Sequence, residues 1–203
     1  MLTLIILKMG GSLLEHSPDI LRRVIATGAD VLIVPGGGPF ADVVRIVYRE
    51  HGLSEDAAHW MAVLAMDEYA YYLSDKTGIP LTPMLVKKKG VRIILPYEVL
   101  QRRDDLPHSW AVTSDTIAAW VALETNSKLI KATDVDGVII NGRTQVSIDA
   151  SKLRGRETCV DEALPGFLID HRMDALVVNG LIVPRLEDAI LGKPAVGTTI
   201  NGK

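Results

Sequence analysis

Leu4-Ile5-Ile6-Leu7-Lys8-Met9-Gly10-Gly11-Ser12 is an apolar run that ends in a lysine and breaks at two glycines. From Leu2 to Leu7 it shows no apolar/polar alternation and is too short to cross a bilayer, so it reads as a buried strand of a parallel sheet. Lys8 stands at the C-terminal end of that strand, where Gly10 and Gly11 can turn backbone N–H groups outward beside a cation. Such a place suits phosphate.

The same arrangement recurs downstream. After a helix opened by Ser17-Pro18 and closed at Thr27-Gly28, Val31-Leu32-Ile33-Val34 runs into Pro35-Gly36-Gly37-Gly38-Pro39 and then into helical periodicity over 40–50. Strand, glycine loop and helix, twice over, predict adjacent parallel strands with both loops on one sheet edge. Ser54 caps the longest helix, 54–74, which Gly78-Ile79-Pro80 stops. Next come a strand over 91–95, a short helix over 96–103 and a polar loop over 104–108. Thr113-Ser114-Asp115 caps a helix over 116–125, which feeds a strand at 128–133 ending in Asp134-Val135-Asp136-Gly137. A hairpin around Asn141-Gly142 over 138–148, a helix over 160–172, a strand over 175–178, a helix over 184–191 and a strand over 196–200 complete the series. The expected fold is α/β: residues 1–203 as one domain, a three-layer α/β/α sandwich with a mainly parallel central sheet.

Composition agrees with that class. Hydrophobic residues make up 48% of the 203 but aromatics only 5%, so the core is aliphatic, as parallel sheets require. A net charge of −3 with dispersed basic residues, Lys87-Lys88-Lys89 aside, argues against nucleic acid as a partner. The single Cys159 excludes an internal disulfide, and the first residues lack the basic-then-apolar pattern of a leader; the expectation is a cytoplasmic protein without a membrane span.

Several motifs narrow the chemistry. Gly36-x-Gly38-x-x-Ala41 fits the dinucleotide fingerprint loosely, but the acid expected about twenty positions on falls at Glu55 and Asp56, inside a helix. There is no Walker loop, because Gly192-Lys193 precedes a proline and lacks the upstream glycine. Asp134-x-Asp136-Gly137 comes too late for an aspartyl-phosphatase nucleophile pair and fails as a calcium loop, since Gln145 occupies the place of the bidentate Glu; capping a strand end is its plainer reading. Asp115 is either a helix cap or part of an anion site with the hydroxyls of Thr113 and Ser114. His59 and Asp67, about 80° apart around their helix, face either a ligand or the surface, and His108 with Trp110 makes a packed loop or a lid.

Taken in order, Lys8-Met9-Gly10-Gly11-Ser12, Pro35-Gly36-Gly37-Gly38, Thr113-Ser114-Asp115-Thr116, Thr133-Asp134-Val135-Asp136-Gly137 and Gly197-Thr198-Thr199-Ile200 resemble the motifs of the amino acid kinase superfamily. That superfamily includes acetylglutamate kinase, uridylate kinase and isopentenyl phosphate kinase. The stretches 106–115, 158–162 and 177–180 are similar to its branch of [5-(aminomethyl)furan-3-yl]methyl phosphate kinases of methanofuran biosynthesis. The resemblance implies transfer of a phosphoryl group from ATP, with Mg²⁺, onto a small-molecule phosphate monoester to give a diphosphate. It also implies a homo-oligomer built through helices like 54–74.

Residue by residue, it implies Lys8 on the transferred phosphoryl group, oriented by Asp115, and phosphates held by Gly10, Gly11, Ser12, Gly36, Gly37 and Gly38. The acceptor falls to His59, Asp67, Trp110, Thr113 and Ser114, with Asp67 taking its ammonium group. The nucleotide falls to Thr133, Asp134, Asp136 and Gly137. One feature departs from the pattern. Many relatives carry a second catalytic lysine in the segment corresponding to 160–173, and this chain has none there; Lys152, Arg154 and Arg156 are the nearby cations. The alternatives are a uridylate or isopentenyl phosphate kinase-like enzyme, and a non-catalytic nucleotide or oxyanion binding protein of the same fold.

Overall fold

The computed structural model describes residues 4–103 and 105–203. Leu2 and Thr3 of the first apolar run and Asp104 of the polar loop lie outside the described residues. β1 (Ile5–Met9) is buried along its whole length, as is β2 (Val31–Pro35), and the two pair in parallel with Lys8 beside Val34. Between them a 3-10 turn, Gly11–His16, precedes α1 (Ser17–Ala26). Ser17 is therefore not the cap its sequence position suggests; its hydroxyl donates instead to the Leu14 carbonyl at 2.7 Å. After β2 come α2 (Gly38–His51) and α3 (Glu55–Thr77), the latter capped by Ser54, whose hydroxyl accepts the Ala57 N–H at 3.2 Å.

β3 (Leu81–Thr82), β4 (Val91–Ile94), α4 (Pro96–Arg102), α5 (Ser114–Glu124) and β5 (Lys128–Thr133) follow. A two-stranded ribbon, β6 (Ile139–Ile140) with β7 (Arg143–Thr144), turns at Asn141 and Gly142, both at positive φ as a primed turn demands. The hairpin is shorter than expected, because β8 (Ser147–Asp149) leaves it to pair with the last strand. α6 (Leu164–Asp170) likewise occupies only part of the expected 160–172 helix: Pro165 sits in its first turn and fixes the start there. β9 (Asp174–Asn179), α7 (Val183–Ile190) and β10 (Thr198–Asn201) close the order.

Eight strands form one sheet in the order β3-β4-β2-β1-β5-β9-β10-β8, parallel from β3 to β9, with β10 antiparallel to β9. Strand periodicity sorts its side chains between two cores. Ile5, Leu7 and Met9 pack with α1, α7 and the inner face of α3, while Leu4 and Ile6 pack under α5 and α6. Three layers result. The same alternation sends Lys8 to the α5 side, together with Leu129 and Lys131 of β5. No helix among the described residues is long and apolar enough to cross a membrane.

Candidate active site

A buried charge cluster stands at the centre. β1 and β5 are in register with Lys8 directly beside Lys131, so both ammonium groups rise from neighbouring strands on one face. Asp115 lies between them: Lys8 Nζ is 2.8 Å from its Oδ1, and Lys131 donates to its Oδ2 and to the Cys159 carbonyl. Lys8, Lys131 and Asp115 are 6%, 6% and 5% exposed, and so little solvent screens them. Burial alone would raise the Asp115 pKa, but the two lysines overrule it and hold the carboxyl at about 2. Burial, helped by the charge of Lys8, lowers the pKa of Lys131 below the ordinary lysine value.

Asp115 is positioned by a residue that the sequence reading passed over. Asp161 accepts the Thr113 N–H (3.0 Å) and hydroxyl (2.9 Å), the Thr116 N–H (2.9 Å) and hydroxyl (2.6 Å) and the Leu164 N–H (2.9 Å). Its own N–H donates to Asp115 Oδ2 at 3.1 Å. One carboxylate from the loop before α6 thus caps α5 in place of the helix's own Thr113. The expected role of Thr113 changes accordingly, because its hydroxyl proton is committed to Asp161 and not to a ligand. Ser114 keeps its hydroxyl and its first-turn N–H.

Two glycine loops line a cavity of about 440 Å³ together with Lys8, the member of the cluster that reaches it. A Cβ on Gly11 would fall on the Cα of Gly38, and Gly38 adopts φ +52°, so the loops can meet only as glycines. The N–H groups of Gly11, Ser12 and Gly38 open their helical turns and have no intrahelical acceptor. Gly10 and Gly36 are different: their N–H groups bond Ala132 O (3.1 Å) and Met9 O (2.8 Å), so they lock the loops to the sheet and cannot cradle phosphate as expected.

The walls of the cavity carry Ser12, Gly36, Gly37, His59, Trp110, Thr113 and Ser114 from the expected set, with Val63, Met66 and Ile117 as apolar floor. His108 stacks on His59 with ring centroids 4.2 Å apart and meets Asp56, while Trp110 packs against Tyr48 and Arg45. The loop bearing His108 and Trp110 is thereby clamped to α3 and α2. Asp67 does not line the cavity. It accepts the Tyr97 N–H at 3.1 Å, capping α4, and burial pushes its pKa up to about 6. An acceptor-binding role for Asp67 does not fit that placement.

Thr133, Asp134, Asp136 and Gly137 sit apart from the cavity, at the ends of β5 and β9. The Thr133 hydroxyl donates to Asp134 at 3.1 Å, and Asp136 accepts from Asn179 (2.9 Å) and pairs with Arg185 (2.8 Å). Gly137 adopts φ +141° against the Thr198 hydroxyl. No cluster of three or more His, Cys, Asp or Glu among the described residues is arranged for a metal ion. Lys152, Arg154 and Arg156 are exposed on the surface, Lys152 paired with Asp149 at 3.5 Å, so none supplies the second buried lysine. Lys131 does. Its one sequence signal is a lysine in the interior of the apolar strand Lys128–Thr133; its register with Lys8 comes only from the fold.

A lysine-aspartate-lysine cluster under two touching glycine loops, on an eight-stranded three-layer sheet, defines a phosphotransferase. Residues 3–163 match the amino acid kinase family, and the chain belongs to that family and is a kinase. It is 34% identical, over 97% of both chains, to [5-(aminomethyl)furan-3-yl]methyl phosphate kinase of Methanocaldococcus jannaschii. In fold it is similar to the crystal structure of uridylate kinase from Archaeoglobus fulgidus, with a TM-score of 0.75 and 20% identity over 97% of this chain and 99% of that one. It is also similar to UMP kinase from Bacillus anthracis, with a TM-score of 0.70 and 19% identity over 99% and 96%.

Proposed function

We propose that this kinase transfers the γ-phosphoryl group of ATP to the phosphate of [5-(aminomethyl)furan-3-yl]methyl phosphate, giving the diphosphate used in methanofuran biosynthesis. The observation that carries the transfer is the buried Lys8–Asp115–Lys131 cluster beside the glycine-lined cavity. Likeness to the Methanocaldococcus jannaschii enzyme supports the acceptor. An acceptor phosphate oxygen attacks the γ-phosphorus, the bond to the ADP oxygen breaks, and no proton need move because the attacking oxygen is already anionic. The difficulty is charge: two phosphates must meet, and the transferring group spreads its charge over three equatorial oxygens.

Two lysines around one carboxylate leave a net positive centre, preorganised in a site of low water content, where such a field acts most strongly. Lys8 and Lys131 take the transferring oxygens, Asp115 fixes both, and Asp161 fixes Asp115. The N–H groups of Gly11, Ser12 and Gly38 and the hydroxyl of Ser114 hold the phosphates on either side. Thr133 and Asp134, at the end of β5 outside the cavity, are the residues we assign to the nucleotide. Asp136 acts through Arg185, which it holds in place. Mg²⁺ accompanying ATP would supply charge neutralisation at its phosphates; among the described residues no group of three or more His, Cys, Asp or Glu is arranged to hold it unaided.

We take residues 1–203 to work as one domain in the cytoplasm and as a homo-oligomer; Val43, Ile46, Leu64 and Tyr71 on α2 and α3 support the last by their exposure. The test is ADP release with Mg-ATP and a panel of acceptors, namely the aminomethylfuran phosphate, UMP, isopentenyl phosphate and acetylglutamate, with phosphorus NMR of the product. A diphosphate formed from the furan alone is the expected result. Preferred turnover of UMP or isopentenyl phosphate would replace the acceptor.

A further inference from the structure

The charges around the acceptor cavity are paired, with one exception. Lys8 is matched by Asp115, and Arg45 is matched by Asp42 at 2.7 Å. Glu55 also lines the cavity, yet no basic side chain among the described residues forms an ion pair with it. Its partner is a neutral phenol: Tyr48 donates its hydroxyl to Glu55 Oε1. A glutamate in the first turn of α3 gains from the helix dipole, which accounts for its charge but not for its tether to α2.

Position gives that tether a use. Tyr48 lies ten residues beyond Gly38 on α2, about 15 Å along the axis, and its side chain leans back toward the helix N-terminus. The Glu55 carboxylate therefore faces the cavity from the end away from the glycine loops. Val63, Met66, Ile117 and the Trp110 ring line the same cavity. Phosphate donors, apolar side chains and a carboxylate without an ion pair among the described residues, all lining one cavity, suit a ligand that carries a phosphate and a cation on a small apolar body.

Resting on the substrate reading above, we propose that Glu55 is the specificity-determining residue for a cationic acceptor: its carboxylate, held by Tyr48, receives the acceptor's ammonium group. A purely anionic phosphate monoester gains nothing from Glu55. An aminated one gains a charge-assisted hydrogen bond. Asp42 cannot serve equally, because Arg45 already occupies it.

The experiment compares kcat/KM for the aminomethylfuran phosphate and for its analogue with methyl in place of aminomethyl, in wild type and in Glu55→Gln, which keeps an oxygen for Tyr48. Titration calorimetry of both acceptors without ATP reads the same ratio independently of turnover. Wild type is expected to favour the aminated acceptor by about three- to five-fold, the scale of one ion pair at an exposed carboxylate. In Glu55→Gln that preference collapses toward unity through KM, while the KM for ATP moves less than about two-fold, a shift too small to represent a lost contact. If wild type prefers the aminated acceptor and Glu55→Gln retains the preference, Glu55 is not the selector and the substrate reading survives. If wild type binds and uses UMP but neither furan, the substrate reading fails and the role of Glu55 falls with it.

Discussion

Lys131 carries the largest functional consequence of any residue that sequence reading overlooked. Replacing it by the apolar, similar-length methionine keeps the strand packed and leaves Asp115 its bond to Lys8, so folding is retained. Transition-state charge, however, loses one preorganised cation, and kcat should fall about 10²-fold, as for loss of a single oxyanion donor. Because burial and Lys8 lower the pKa of Lys131, the wild-type rate should also decline on the alkaline side before the ordinary lysine range is reached. Lys131→Arg should move that limb upward in a pH–rate profile. Unchanged kcat in Lys131→Met would remove Lys131 from the chemistry. Asp67 makes the opposite case, a carboxyl outside the cavity that caps α4 through the Tyr97 N–H. Its folded pKa of about 6 exceeds the usual 3.8, so its contribution to stability is complete below the unfolded value and is lost as pH rises through 6. Asp67→Asn, still able to accept the Tyr97 N–H, should be about 1 kcal/mol more stable than wild type near pH 8 after discounting for solvent screening. The two proteins should converge near pH 4 in urea denaturation, and the acceptor KM should stay put.

At the scale of elements, α5 shows how the Asp115 carboxylate is aimed at the two lysines. Its amino end is buried, and its cap comes from Asp161 on a separate loop, through four accepted hydrogen bonds, while a fifth, from Leu164 N–H, ties the same carboxylate to the start of α6. Asp161→Ala should cost about 2–3 kcal/mol, more than an ordinary cap because Thr116 is buried and left unsatisfied. It should also lower kcat by releasing Asp115, while Asp161→Asn recovers part of both; a melt and a kcat on each variant read the two effects. The sequence announced α5 by its Thr113-Ser114-Asp115 start but could not announce this cap, since Asp161 lies 48 residues from Thr113 and only the fold joins them. Local signals served better elsewhere. Gly78 and Ser54 bounded α3, and Asn141-Gly142 marked the ribbon, because each acts on its own few residues. Apolar spacing predicts a helix over 160–172, but α6 is shorter because Pro165 sets its start.

For the whole molecule, the layered sheet was readable from β1 and β2 alone, whose two glycine loops imply parallel neighbours. The pairing of Lys8 with Lys131 was not, because register between β1 and β5 is set by packing across more than a hundred residues of intervening chain. α3 leaves a different kind of trace. Its inner face buries Ala58, Val63, Ala65, Met66, Tyr69, Ala70 and Leu73, yet Leu64 and Tyr71, one heptad apart on the outer face, are 42% and 61% exposed. A helix apolar on both sides reads as one covered on both. Val43 and Ile46 of the adjoining α2 are 60% and 48% exposed as well. Because a twofold interface presents the same patch to itself, a second copy of this chain is the simplest cover for such a face. Leu64→Asp with Tyr71→Asp should therefore reduce the mass measured by analytical ultracentrifugation to that of one chain and lower the melting temperature. Neither residue lines the acceptor cavity, so the preference between aminated and methyl acceptors should be preserved in the variant. A wild-type protein that sediments as a monomer from about 1 to 100 μM, a range in which an interface of standard size would hold, would overturn the oligomer.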